Sequence, residues 1–214
     1  MKIANNLLRP YLRNVYFFCG TVCGGKTTLS KAFAEKHQMQ HLEEMALFEK
    51  FDELAEQDNQ PVYFSQPQTW EEYFNRPYKE YAHWQEDLLM EQLPLAFLEL
   101  IRLSATAPVA ADITISPKKI LELVNPDRIV FLVTTPEIVV KHYYDRPGPR
   151  EIYETIMGLD NPQKTLENTN KALAYRTQLY LEELEESGVH YLVRNDNRSI
   201  EETLVLIDRH FGIV

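Results

Sequence analysis

Three observations predict an α/β fold, a parallel sheet with helices on both faces. Short, continuous apolar runs alternate along the chain with longer helical patterns, as buried parallel strands and their crossover helices do. The first run, Asn14-Val15-Tyr16-Phe17-Phe18-Cys19, leads straight into the glycine-rich stretch Gly20-Thr21-Val22-Cys23-Gly24-Gly25-Lys26-Thr27, and helix character begins at Thr27. A length of 214 residues suits one such domain with insertions.

Taken in order, Lys2 to Arg13 is a polar lead-in with a short helix ended near Pro10. Val15 to Cys19 is the first strand. The glycine stretch fits G-x-x-x-x-G-K-[ST], the phosphate-binding P-loop, or Walker A motif. Its chemistry is local. Gly20, Gly24 and Gly25 let the backbone curl without Cβ clashes, so successive amides aim inward as an anion nest. A helix from about Lys26 to His37 adds free amides and a positive dipole end. Lys26 supplies a mobile charge for the β- and γ-phosphates, and the Thr27 hydroxyl can ligate Mg²⁺. The expected nucleotide-binding residues are Gly20, Thr21, Cys23, Gly24, Gly25, Lys26, Thr27 and Thr28.

Met39 to Leu42 forms a short second strand. Glu43 and Glu44 follow it, either facing a second substrate or beginning a helix whose dipole favours acids. Met45 to Glu56 has near-helical apolar spacing, broken by Gln57 to Pro61. Val62 to Trp84 is dense in aromatics, and Thr69 with Glu72 forms a capping box. Tyr78 to Ser104 is a long helix bent at Pro94. Its rings either stack on a substrate or pack helices onto the sheet. Arg76, Lys79, His83 and Arg102 either enter a pocket or stay on the surface.

Pro108 to Asp112 is an apolar strand ending in a carboxylate. Functional groups leave the C-terminal ends of strands in a doubly wound sheet, so Asp112 is the candidate Walker-B-type acid, holding Mg²⁺, or a general base. Small Ala110 and Ala111 allow close packing beside the first strand. Ser116-Pro117 starts a helix to about Val124, and Arg128 to Val133 is the fourth strand. Thr135-Pro136-Glu137 begins the next helix. Arg146 and Arg150 then flank a Pro-Gly-Pro hinge in a basic loop, and guanidinium forks there suit phosphate contacts and transition-state charge. Pro162 to Ser187 is a long helix capped by Gly188. His190 to Val193 is the last strand, and Ser199 with Glu202 caps the final helix.

Composition removes some classes of function. A net charge of −10, from 22 basic and 32 acidic residues, argues against nucleic acid as the main partner. No apolar stretch is long enough for a signal peptide or a membrane span. The cysteines, Cys19 and Cys23, have neither metal-site nor disulfide spacing, and free thiols suit a cytoplasmic location.

The P-loop, Asp112, the arginine pair and the turn after the last strand together resemble the nucleoside/nucleotide and shikimate-type small-molecule kinases. The resemblance implies strand order 2-3-1-4-5, Mg²⁺·ATP as donor, and adenine against the turn Arg194 to Asn197, with Asn195 as a contact. It also implies one domain over 1–214, with an acceptor-binding insertion at about 43–106 and a mobile lid at about 145–158. The sequence departs from the deoxynucleoside kinase pattern by having Asp112-Ile113-Thr114, and it lacks the glycine turn of shikimate kinase. The expected catalytic residues are Lys26, Asp112, Arg146 and Arg150, with Thr27 and Asp112 at the metal. The partner is a small-molecule acceptor, and the sequence leaves the oligomeric state open. An NTP-hydrolysing switch or a nucleotide-binding regulator is the alternative, although no GTPase Asn-Lys-x-Asp is present.

Overall fold

The computed structural model describes residues 4–194 and 197–213. Five strands form one parallel sheet in the order β2-β3-β1-β4-β5, as the resemblance implied. They are β1 (Val15–Gly20), β2 (Gln40–Glu43), β3 (Val109–Asp112), β4 (Ile129–Val133) and β5 (Leu192–Val193). The helices are α1 (Asn5–Leu8), α2 (Lys26–Lys36), α3 (Phe48–Leu54), α4 (Pro61–Phe64), α5 (Trp70–Phe74), α6 (Tyr78–Ser104), α7 (Pro117–Leu123), α8 (Pro136–His142), α9 (Pro147–Met157), α10 (Pro162–Ser187) and α11 (Ile200–Phe211).

Alternation along β1 sorts its side chains to two cores. Val15, Phe17 and Cys19 join Phe97 and Leu100 of α6, Ile120 of α7 and Leu184 of α10 on one face. Phe18 meets Phe33 of α2 and Ile207 and Phe211 of α11 on the other. These contacts make a three-layer sandwich. The rings of Phe18, Phe33 and Phe211 lie edge-on to one another, with centroids 5.3 to 5.8 Å apart. Burying one such ring is worth roughly 1.5–3 kcal/mol, so this cluster fixes α2 and α11 firmly on the sheet.

A third core stands apart from the sheet. Phe74, Tyr81 and Trp84 of the aromatic segment pack with Ile156 of α9 and Ala172 of α10. The aromatics are therefore packing residues, but they join helices to one another and not to the sheet. Both long helices run through two cores. α6 gives Tyr81 and Trp84 to the satellite core and Leu93, Ala96 and Phe97 to the sheet core. α10 gives Ala172 to the first and Leu184 to the second.

The short helix of the lead-in, Asn5–Leu8, ends just before Pro10 as expected, and a 3-10 turn, Arg9–Leu12, then buries Leu12 against the sheet core. Several local expectations need correction. The stretch after β2 divides into a 3-10 turn, Glu44–Leu47, and the shorter α3. The last strand keeps only Leu192 and Val193. The Pro-Gly-Pro segment is no loop. Pro147, Gly148 and Pro149 form the first turn of α9, where missing amides cost nothing because first-turn amides have no helical partner. The bounds of α6 and α10 fall where the sequence places them, and Gly188 caps α10 at φ 65°. Among the described residues, no helix is long and apolar enough to cross a membrane.

Candidate active site

The site is built where β1 ends. Gly20 has φ +140°, and a Cβ there would lie 1.8 Å from the Leu132 carbonyl oxygen on β4. A Cβ on Gly24 would lie 2.3 Å from the same oxygen. The loop thus needs glycine at both places because β4 crosses directly beside it. Thr21 ties the two together: its amide donates to Leu132 O at 3.2 Å, and its Oγ1 accepts from the Thr134 amide at 2.9 Å. Cys23 takes a left-handed conformation, φ 60°, that side chains seldom adopt. Gly25, φ 93°, then starts α2 with no side chain capping the helix.

Lys26 folds back, its Nζ donating to Thr21 O at 3.2 Å. Thr27 donates through Oγ1 to Asp112 Oδ2. Asp112 ends β3 beside Phe18 and is only 6% exposed. The residues before it in the register, Ala110 and Ala111, are small enough to let β3 lie between β1 and β2. Behind Thr27, Ser30 Oγ donates to Thr27 O at 3.2 Å and bonds His41 Nε2 of β2 at 2.9 Å. Burial holds the His41 pKa below its usual value, against the pull of Asp112 and Glu43.

Glu44 follows β2 and accepts from the Thr114 amide at 3.0 Å. The residue as a whole is half-buried, but its carboxyl lies in a desolvated spot. That burial pushes its pKa up to about 7; the Thr114 bonds and Lys26 pull it back, and Asp112 adds to the rise. A raised carboxyl pKa means that the folded chain holds more protons than the unfolded chain between the ordinary value of 4.5 and about 7. The contribution of Glu44 to stability is therefore full below that window and is lost as pH rises through it. Glu44→Gln keeps an acceptor for Thr114 and removes the loss. Its melting temperature should exceed wild type at pH 8 and match it near pH 4. A melting curve showing the same difference at both pH values would contradict this account.

Three cavities open around the loop. The first, about 320 Å³, is lined by Cys23, Gly24, Gly25, Lys26, Thr27 and Thr28, with His142, Asp145 and Arg146 opposite. The second, also about 320 Å³, continues from Gly24 and Thr28 to Leu192, Val193, Arg198 and Ile200. Arg194 lines both and donates from Nη1 to Cys23 O at 3.1 Å. The third, about 420 Å³, opens on the other flank of the loop, at Gly20, Thr21 and Val22. Its walls are Ala82, His83, Glu86 and Met90 of α6, Thr114 to Ser116 after β3, and Arg176, Tyr180 and Glu183 of α10.

The two arginines expected in a lid, Arg146 and Arg150, part company. Arg146 faces the first cavity and lies over the Tyr143 ring at 5.0 Å. Arg150 turns away to Glu154 at 3.3 Å and is not among the lining residues. Of the insertion's basic residues, only His83 reaches a cavity. Arg76 lies over Trp84, Lys79 over Tyr175, and Arg102 pairs with Glu99. Burial pushes the Cys19 thiol far above its usual range, as expected of a core residue. The Cys23 thiol is also raised by burial, with Arg146, Arg194 and Lys26 pulling it back. Asn195 lies outside the described residues.

The α10 residues are ones that helical apolar spacing passes over. Their signal is a polar one: Arg176, Tyr180 and Glu183 stand four and three apart, on one face of the helix.

No family profile and no curated protein matches the chain. Among solved structures, it is similar to shikimate kinase from Acinetobacter baumannii in complex with shikimate, at 17% identity over 92% of this chain and 93% of that one, with TM-score 0.41. Shikimate kinase from Bacteroides thetaiotaomicron stands at 17% identity, 92% and 98% coverage, and TM-score 0.40. Similarity at this level says nothing of chemistry, for which the side chains above are the only basis.

Proposed function

We propose that the protein is a kinase that transfers the γ-phosphoryl group of Mg²⁺·ATP to a small-molecule acceptor. The observation that carries this reading is the pair of openings on opposite flanks of one loop. The cavity at Lys26 and Thr27 suits the phosphates, and the adjoining cleft at Leu192, Val193, Arg198 and Ile200 suits the base. The 420 Å³ cavity across Gly20 to Val22 leaves room for a second substrate facing the same phosphates. A hydrolysing switch has no use for such a cavity.

The roles follow from position. The amides of Gly24, Gly25 and Lys26 cradle the phosphates, and Lys26 exchanges its bond to Thr21 for phosphate oxygens. Thr27 and Asp112 place two hard oxygens together, which fits Mg²⁺, an ion content with few protein ligands beside phosphates and water. Among the described residues no richer cluster of His, Cys, Asp and Glu competes for it. Bound there, the ion neutralises charge on the transferring group. Its bond to Thr27 favours Asp112 as the organiser of that ion. Glu44, beside Thr114 of the acceptor cavity, is then the carboxylate placed to take the acceptor's hydroxyl proton. The bond from the γ-phosphorus to the ADP oxygen breaks as the bond to the acceptor oxygen forms. Arg146 is the cation placed for transition-state charge; Arg150 reaches the phosphates only if α9 moves.

An ADP-release assay against a metabolite library, with mass spectrometry on each hit, tests the proposal. ATP turnover alone should be slow, one class of acceptor should stimulate it strongly, and the phosphoryl group should be recovered on that acceptor. Brisk ATP hydrolysis with no phosphorylated product would replace the kinase with a switch.

A further inference from the structure

The third cavity carries an unbalanced charge pattern. Glu86 of α6 lines it half-buried, and among the described residues no hydrogen bond or ion pair reaches its carboxylate. Loss of water raises its pKa; Arg176 pulls it back, while Glu183 and Asp87 push it further up. A desolvated carboxylate without a partner is a costly feature for a fold to keep. The one guanidinium in the wall, Arg176, forms no ion pair with Glu86 and gives a hydrogen bond elsewhere. It donates from Nη1 to Gln85 Oε1 at 2.9 Å, and Gln85 donates to Tyr81 Oη at 3.0 Å. Glu183, on α10, accepts from the Lys118 amide at 3.3 Å. The Tyr180 hydroxyl is buried beside them and approached by the Gly20 amide. Two carboxylates thus face this space against one guanidinium, with the exposed His83 at its wall.

We infer that the acceptor is a small hydroxyl compound bearing a protonated amine, with the ammonium group held at Glu86. This rests on the kinase reading of the site. An ammonium supplies the cation that Glu86 lacks, and its three donors match carboxylate acceptors on both long helices. A phosphate or carboxylate in the same place faces two carboxylates, Glu86 and Glu183, against the one guanidinium of Arg176, and that like charge disfavours it. The cavity's 420 Å³ suits one substituted ring or a compact chain. Specificity of this kind comes as much from rejecting anions as from holding amines.

The test uses the full chain with Mg²⁺·ADP and hydroxyl compounds matched in size but not in charge: glucosamine, glucose, glucuronate and glucose 6-phosphate, with a parallel series of amino alcohols, diols, hydroxy acids and phosphate monoesters. Affinity is measured by calorimetry and thermal shift. The best amine should bind at least about tenfold more tightly than its neutral counterpart, the increment expected of a charged hydrogen bond, and the anions should not bind. Glu86→Gln should erase that preference, and Glu185→Gln, on the exposed face of α10, should leave it in place. Glu86 holds nothing within the protein, so the variant should fold at least as well as wild type, as circular dichroism will show. An amine preference that survives in folded Glu86→Gln, tighter binding of any anion, or no amine bound at millimolar concentration overturns the assignment. Phosphorylation separates the two claims. A phosphorylated neutral or anionic acceptor keeps the kinase and removes the amine site; an amine bound through Glu86 but never phosphorylated does the reverse.

Discussion

Asp112→Asn is expected to cut turnover at least about a hundredfold while ATP affinity falls far less. The substitution is nearly isosteric, and the side chain is 6% exposed at the end of a central strand. An amide oxygen still accepts from Thr27, so the local packing should persist. What is lost is the negative charge that, as proposed, keeps Mg²⁺ and the Thr27 hydroxyl in register with the phosphates. An effect confined to the transition state appears in kcat and in kcat/KM alike, with little change in nucleotide binding. Steady-state kinetics and ATP titration on folded protein decide the matter. Near-normal turnover would mean that Asp112 merely closes the turn after β3, and an unfolded variant would assign it a structural duty.

The second large effect concerns the fold. Gly20→Ala places a methyl group 1.8 Å from the Leu132 oxygen, 2.7 Å from its carbonyl carbon and 2.9 Å from its nitrogen. These are backbone atoms of a central strand and cannot swing aside. The φ of +140° is itself hostile to a side chain. Relief requires β1 and β4 to separate, which breaks the bonds of Thr21 to Leu132 and Thr134. Overpacking and backbone strain together should cost more than about 4 kcal/mol, a large part of the stability of an ordinary domain. Gly148→Ala is the contrast. Beyond its chain neighbours nothing lies within 4 Å of a Cβ there, and the position is helical. That variant should stay within about 1 kcal/mol of wild type, because the entropy alanine removes from the unfolded chain is offset by crowding of its Cβ against the Pro149 ring. Urea denaturation of the pair measures both, and a Gly20→Ala midpoint close to wild type would refute the steric account.

What the sequence disclosed, and what it withheld, divides by range. β1, the glycine loop and the start of α2 were legible because each is set by neighbours: aromatic and β-branched residues for the strand, glycines for the curl. The ends of α10 were equally plain, with proline at its first turn and glycine past its last. The sheet order was not written in any local pattern and came by resemblance. Pro147 to Pro149 misled because two prolines and a glycine mark a turn nearly everywhere except the first turn of a helix. With that helix in place, Arg146 sits before it in extended conformation while Arg150 lies one turn on, paired with Glu154, so equal residues four apart gained different surroundings. Glu44 left two readings open in the sequence, a carboxylate facing a second substrate or an acid at a helix start; the burial that raises its pKa is visible only in three dimensions, where Thr114, seventy residues later, lies against it. The acceptor cavity was hidden for the same reason, since its walls come from α6 and α10 and meet only in space.

The division of the interior into a sheet core and a satellite core has a mechanical consequence. The acceptor cavity lies on the stretches of α6 and α10 that pass from one core to the other, between Ala82 and Met90 on one helix and between Leu173 and Glu183 on the other. Any change in the width of that gap would fall on two long helices and leave the close packing of each core in place. α6 is the softer of the two. Pro94 removes one backbone bond just beyond the cavity, and a helix bends most easily where its ladder is already broken. A ligand that fills the gap therefore touches both helices at once, at the stretch of each that passes from one core to the other.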